Sequence, residues 1–239
     1  MRALNFANRN FKELIRDPLG IFFSIVLPII LLIIFKQINV PNDNFKLENF
    51  TPSIIIFSFS FITLFTSTLV ARDRTNSFLI RLGISPMKSF DFIIGYTLSI
   101  IPIIVIQNIL FFIAAILLGL TFSIKVLLVV VVSIFISILF IMMGILIGSL
   151  LSEKASSGFS SVIVQLVCFT SGMYFPNELL GNVFIKICQY LPFESTVTIL
   201  KGIMNNINLI EIRNVIVFMF YLILFTFLAI KFFKKNMAK

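Results

Sequence analysis

The sequence predicts an all-α integral membrane protein with six transmembrane helices, an N-terminal amphipathic interfacial helix and re-entrant outer helices before the last span. Three observations carry that reading. The 239 residues are 59% hydrophobic and 12% charged, with a mean hydropathy of +1.10, whereas a soluble chain carries about a quarter charged residues. The apolar residues fall in charge-free windows of the length that crosses a bilayer, about 20 residues of helix. The basic residues segregate to one side of the resulting helices. Disorder is excluded because it requires low hydrophobicity.

Taken in order, the windows are Pro18 to Phe35, Phe50 to Ala71, Phe92 to Ile124, Val126 to Ser152, Ala155 to Asn177 and Asn214 to Ile230. The third has 33 residues, too many for one untilted span, so its helix is expected from Phe92 to Leu118 with a turn from Gly119 to Lys125. The residues before Leu19 mix polar and apolar types, and no small-residue cleavage motif follows the apolar stretch, so a signal peptide is not expected. With both termini in the cytoplasm, 13 of the 19 Lys and Arg lie inside and 6 outside, a net charge of +8 against +1. The orientation rule and anionic inner-leaflet lipids account for this basic excess, and nucleic-acid binding is not expected.

Residues 1–17 form an amphipathic segment. Leu4, Ala7, Phe11, Leu14 and Ile15 recur at helical spacing against Arg2, Arg9, Lys12, Glu13 and Arg16. That pattern suits a helix lying on the inner membrane surface with its cations among the lipid headgroups, either as an anchor or as a lever touching a cytoplasmic partner. Arg72 to Asp91 is the largest internal cytoplasmic loop, with room for a helix of two to three turns between Thr75 and Ile84 before Pro86. Ser152 to Ser157 is a minimal connection. Between Gly172 and Arg213 lie two apolar stretches, Val183 to Ile187 and Val197 to Ile203, both too short to span. Short segments of this kind suit re-entrant or interfacial helices. Two such helices joined near Gly181 are expected to cap the outer face. Pro176 and Pro192 would stand at their starts, and Glu178 and Glu194 would complement the dipole of each first turn.

The available chemistry is sparse. Histidine and tryptophan are absent, so no His-based metal site, general base or proton relay exists, and no metal ligand set is expected. The two cysteines, Cys168 and Cys188, form no CxxC. No window contains an ionisable residue, although ion-coupled carriers place such groups within the membrane. The neutral polar groups there are Gln107, Asn108 and Gln165, candidates either for interhelical hydrogen bonds or for lining a substrate path. No GxxxxGK[ST] phosphate loop occurs, so a pump would draw its energy from another polypeptide, and the chain is not expected to be an enzyme. Gly144, Gly148 and Ser152 form a small-residue stripe that permits close helix approach, within the chain or in a dimer.

Leu14 to Gly20 (LIRDPLG), running into FFSIVLPIILLIIF, resembles the start of permease subunits of type-2 ATP-binding-cassette exporters. Asp73-Arg74, Leu79, Arg81-Leu82 and Ser85-Pro86 resemble that family's charged coupling loop, with Arg72 beside them. Ser171 to Pro176 (SGMYFP), then Leu179, Leu191-Pro192 and Lys201-Gly202, resemble its signature before the last helix. Ile80, Ser77 and Phe78 stand where the loop usually has an acidic residue and a Gly-Thr, and Val183 stands near a common Trp. The resemblance implies a half-transporter in the bacterial cell membrane. Its partners would be a second permease copy or paralogue and cytoplasmic ATP-binding-cassette ATPase subunits that carry ATP and Mg. Those ATPases would engage Arg72, Asp73, Arg74, Arg81, Leu82, Ser85 and Pro86, and would push on the helix bearing Arg9, Lys12, Arg16 and Asp17. The expected cargo is hydrophobic or amphipathic: a drug, peptide or lipid-like molecule. The alternative is a non-transporting membrane scaffold or assembly factor that docks a cytoplasmic partner.

Overall fold

A computed structural model describes residues 2–38, 45–76, 89–171, 181–205 and 210–237. Every regular element among them is helical: α1 (Arg2–Ile15), α2 (Pro18–Ile21), a π-helical stretch (Phe22–Val26), α3 (Leu27–Ile38), α4 (Leu47–Thr75), α5 (Ser89–Leu117), α6 (Ile124–Leu150), α7 (Glu153–Thr170), α8 (Gly181–Tyr190), α9 (Pro192–Asn205) and α10 (Ile212–Met237). Five helical segments among the described residues are long and apolar enough to cross a membrane: Pro18–Gln37, Leu47–Thr75, Ser89–Leu117, Ile124–Leu150 and Ile212–Lys235. The fifth sequence window begins in α7, whose 18 residues include Glu153, Lys154, four serines and Gln165; the outer end of that window, past Ser171, lies outside the described residues.

The bundle is built around α4, in which 78% of the span is buried, against 11% for the last helix. Helix α4 packs on α6, α7 and α9, while α10 leans on α6 and α9. Two features let α4 occupy the centre. Its small hydroxyl side chains keep it narrow and satisfy themselves mainly on its own backbone, as Ser58 does with the Ile55 carbonyl (2.6 Å) and Ser67 with that of Leu64 (2.9 Å). Others tie it to neighbours: Thr63 donates to the Phe140 carbonyl (2.9 Å), and Ser67 shares a hydrogen bond with Ser160 (2.7 Å). The glycines of α6 supply the complementary groove. A Cβ at Gly144 would lie 2.6 Å from Thr66 Cβ and 2.8 Å from the Thr63 carbonyl, and one at Gly148 would overlap the Ser67 carbonyl. Gly144 and Gly148 are thus set against α4 of the same chain, while Ser152 is exposed between α6 and α7.

At one end of the bundle α1, the end of α4 and the start of α5 meet the end of α10. Phe6 stands edge-on to Phe92 and Tyr96, with ring centroids 5.3 and 4.9 Å away, and Phe233 lies 6.0 Å from Phe92. The first and last described helices therefore end on the same face, the one rich in Lys and Arg. At the far end Lys125 donates to the Asn205 carbonyl (2.7 Å), and the Asn205 amide donates to Asn49 (2.6 Å).

Four boundaries differ from the sequence expectation. Helix α4 continues to Thr75, so Arg72, Asp73 and Arg74 are helical rather than part of a loop; buried and paired charges do not end a helix. Helix α5 begins at Ser89, three residues before Phe92, and the helix expected between Thr75 and Ile84 falls mostly outside the described residues. The two short helices before the last span meet at Leu191, not near Gly181. Gly181, at φ +70°, instead opens α8, while Pro192 opens α9, where its missing amide hydrogen is no loss. The packed face of α1 is also rotated. Phe6, Ala7 and Asn10 are buried, whereas Leu4 is 61% and Ile15 47% exposed. The cause is Gly95: a Cβ there would overlap the Phe6 ring, so only glycine lets Phe6 seat against α5.

Candidate functional site

The three charges at the end of α4 are each spoken for. Arg9 Nη1 donates to both Asp73 oxygens at 2.8 and 2.9 Å and to Asn10 Oδ1 at 2.7 Å. Its Nη2 pairs with Glu13 at 2.8 Å. The buried Tyr96 hydroxyl donates to Asp73 Oδ2 at 2.8 Å. Asp73 is buried and so could not stay charged without such donors. Arg72 closes the set by pairing with Glu13. Arg74 points the other way and donates 2.6 Å bonds to the Ser149 and Leu151 carbonyls, capping the end of α6. The result is a clasp of alternating charge that locks α1 onto α4 and α5.

Lys12 and Arg16 are exposed on α1. Arg9 faces inward to the clasp rather than outward to a headgroup, which corrects the expectation for that cation. Asp17 is an N-cap: its carboxylate accepts the Gly20 amide at 3.1 Å ahead of Pro18. Arg81, Leu82, Ser85 and Pro86 lie outside the described residues, as do Pro176 and Glu178. Pro192 and Glu194 stand in the first turn of α9. That helix is buried among α4, α6 and α10. Two groups near Glu194 have displaced acidities: burial lowers the Lys201 ammonium to about 8 against a partial opposing pull from Glu194, and burial, then Glu194, raises the Cys188 thiol to about 11.

Of the three polar residues within the spans, two are fully buried between helices. Gln107 donates to Ser58, and Asn108 donates to Ser133 at 2.9 Å, with Gln107 Oε1 and Asn108 Oδ1 lacking a partner. Gln165 instead lines an open groove of about 700 Å³. The groove is bounded by the end of α1, the Pro18–Ile38 segment, α4 and α7. Its walls include Phe23, Leu27, Phe57, Phe61, Phe65 and Val164, and its lower rim carries Glu13, Asp17, Arg72 and Glu153. From Arg72 to Phe57 it follows α4 for 15 residues, about 22 Å at 1.5 Å per residue.

Sequence reasoning missed Glu13 and Tyr96 as partners of the charged end, and it missed Gly95. The signal for Glu13 was present, since an acid in an otherwise basic surface helix asks for a cation. Nothing local marks Tyr96 or Gly95. A family model described as ABC-2 type transporter matches residues 4–205. The chain belongs to the ABC-2 type transporter family. It is accordingly a multi-pass membrane subunit of an ATP-binding-cassette transporter, and the family implies an ATP-binding-cassette partner. The match runs from α1 to the end of α9 and so takes in the clasp and the groove. No curated protein matches the chain.

Proposed function

We propose that this ABC-2 type subunit forms the membrane path of an exporter in the bacterial plasma membrane. Both termini are cytoplasmic, as the net +8 against +1 charge distribution favours. Separate ATPase subunits bind ATP and Mg and seat the segment 77–88 that follows α4, while a second permease copy or paralogue completes the pathway and lipids surround it. The cargo is hydrophobic or amphipathic, and this chain performs no catalysis itself. The observation that carries this reading is the clasp. The helix leading into the proposed docking segment is bonded to a surface helix through Arg9, Glu13, Arg72 and Asp73, so a push on one moves the other. Helices α8 and α9 act as the outer gate, and Gln165 borders the route. Gln107 and Asn108 brace α5 against α4 and α6.

The test is reconstitution with an ATP-binding-cassette ATPase. Arg81→Glu is expected to reduce ATP hydrolysis and cargo movement severalfold while membrane insertion is retained. Unchanged hydrolysis together with unchanged partner binding would leave a scaffold or assembly factor as the better account. Impermeant thiol labelling checks the orientation: cysteine at Asn44 should react from outside, and cysteine at Asn76 should not.

A further inference from the structure

We infer that the groove between the Pro18–Ile38 segment, α4 and α7 is a binding site for lipophilic cations, molecules with an apolar, largely aromatic body and a positive head. The inference deepens the export reading by naming its cargo class, and it rests on that reading for the transport step alone.

The volume of about 700 Å³ lies in the range of small-molecule sites. The body of the site is aromatic. Phe23 stacks on Phe61 with centroids 5.8 Å apart, and Phe57 meets Phe61 edge-on at 5.2 Å, with Phe65 beside them. Ring faces of this kind attract cations as well as apolar bodies. The polar groups along the walls ask for little: Thr68 is satisfied by the Leu64 and Phe65 carbonyls, and Ser161 by that of Ser157.

The rim sets the sign of the ligand. Three carboxylates stand there against one guanidinium, at the end of a bundle that is otherwise rich in Lys and Arg. Glu13 and Arg72 neutralise each other within the clasp. That leaves Asp17 and Glu153, neither of which has a basic partner among the described residues. An anion entering the slot would pass two such carboxylates, and a neutral molecule would gain nothing from them. A cation is drawn to the rim while its body is taken from water by the phenylalanines.

Tetraphenylphosphonium and tetraphenylborate, alike in size and shape but opposite in charge, test this directly. Binding of each is measured to the full chain in nanodiscs of zwitterionic lipid, with empty nanodiscs subtracted. The cation should bind saturably and at least about tenfold tighter than the anion, and Asp17→Asn and Glu153→Gln should each weaken it about fivefold, as expected for one partly exposed charge. Asp17→Asn retains an N-cap acceptor, so loss of binding there is not loss of fold. Glu48→Gln, at the far end of α4, should change nothing. Equal binding of the two ions, or cation affinity indifferent to both rim variants, overturns the site. Charge-selective binding that never stimulates hydrolysis in the complex with an ATPase upholds the site and removes the export reading. Export of another compound without charge-selective binding removes the site and keeps that reading.

Discussion

Arg9→Met should be more damaging than Asp73→Asn, although both break the same ion pair. Asp73 is 3% exposed in its side chain and Arg9 39%. Removing Arg9 strands a buried carboxylate with the Tyr96 hydroxyl as its remaining printed donor, and an uncompensated buried charge costs about 3 kcal/mol or more. Replacing Asp73 with Asn removes the charge itself. Arg9 then turns to Glu13, its other partner at 2.8 Å, and to water, and Tyr96 can still donate to the amide oxygen, so the cost is about 1 kcal/mol. The double variant should therefore be more stable than Arg9→Met alone, with a coupling of about 2 kcal/mol. Equilibrium unfolding of the four proteins in mixed micelles gives the cycle. Additive losses, or an Arg9→Met cost below about 0.5 kcal/mol, would show that the charges are not coupled and that α1 is held by Phe6 alone.

Gly148→Ala should destabilise the bundle by about 2 kcal/mol or more, because the new methyl meets a backbone carbonyl of α4 that cannot turn aside. Gly158→Ala on α7, with no atom within 4 Å of the added carbon, should be neutral or gain up to about 1 kcal/mol; the pair is read by thermal melting in detergent. Gly95→Ala should release α1, seen as faster proteolysis between α1 and α2 with the rest of the bundle intact. Lys201→Met should melt higher than the parent near pH 7. The folded-state acidity of Lys201 is lowered to about 8 from 10.5, so the unfolded chain binds more protons between those values and the parent gains stability as pH rises through that window. The gap between the two proteins should therefore narrow from pH 8 toward 10, and a gap independent of pH would contradict the burial of that ammonium.

The apolar windows were legible because crossing a bilayer is a matter of composition and length, and that requirement leaves few alternatives. Pro192 was legible as a helix start for an equally local reason. What could not be read locally was long-range pairing. Arg72, Asp73 and Arg74 look like loop residues until their partners are known, and those partners sit 59 to 77 positions away in sequence. The face of α1 was displaced by the space at Gly95, which no helical periodicity records. The groove draws its walls from four segments, and its acidic rim is invisible in a chain whose net charge is +9.

The π-helical stretch has a consequence for how the first span tolerates insertions and deletions. Between Phe22 and Val26 the Leu27 amide bonds to the Phe22 carbonyl, one residue further back than an α-helix would choose, and Pro28 follows with no amide hydrogen to offer. One residue is thus wound in excess. Deleting a single position from this stretch would let the segment close into an unbroken α-helix, shortening it by only about 1.5 Å but turning everything beyond it by about 100° relative to the part before it. Leu32, now 1% exposed, would swing out of the core and Ile33 or Ile34 would swing toward it. The bulge therefore sets the phase between the two halves of the span, and the rim at Asp17 and the wall at Leu27 face the same groove because of that phase.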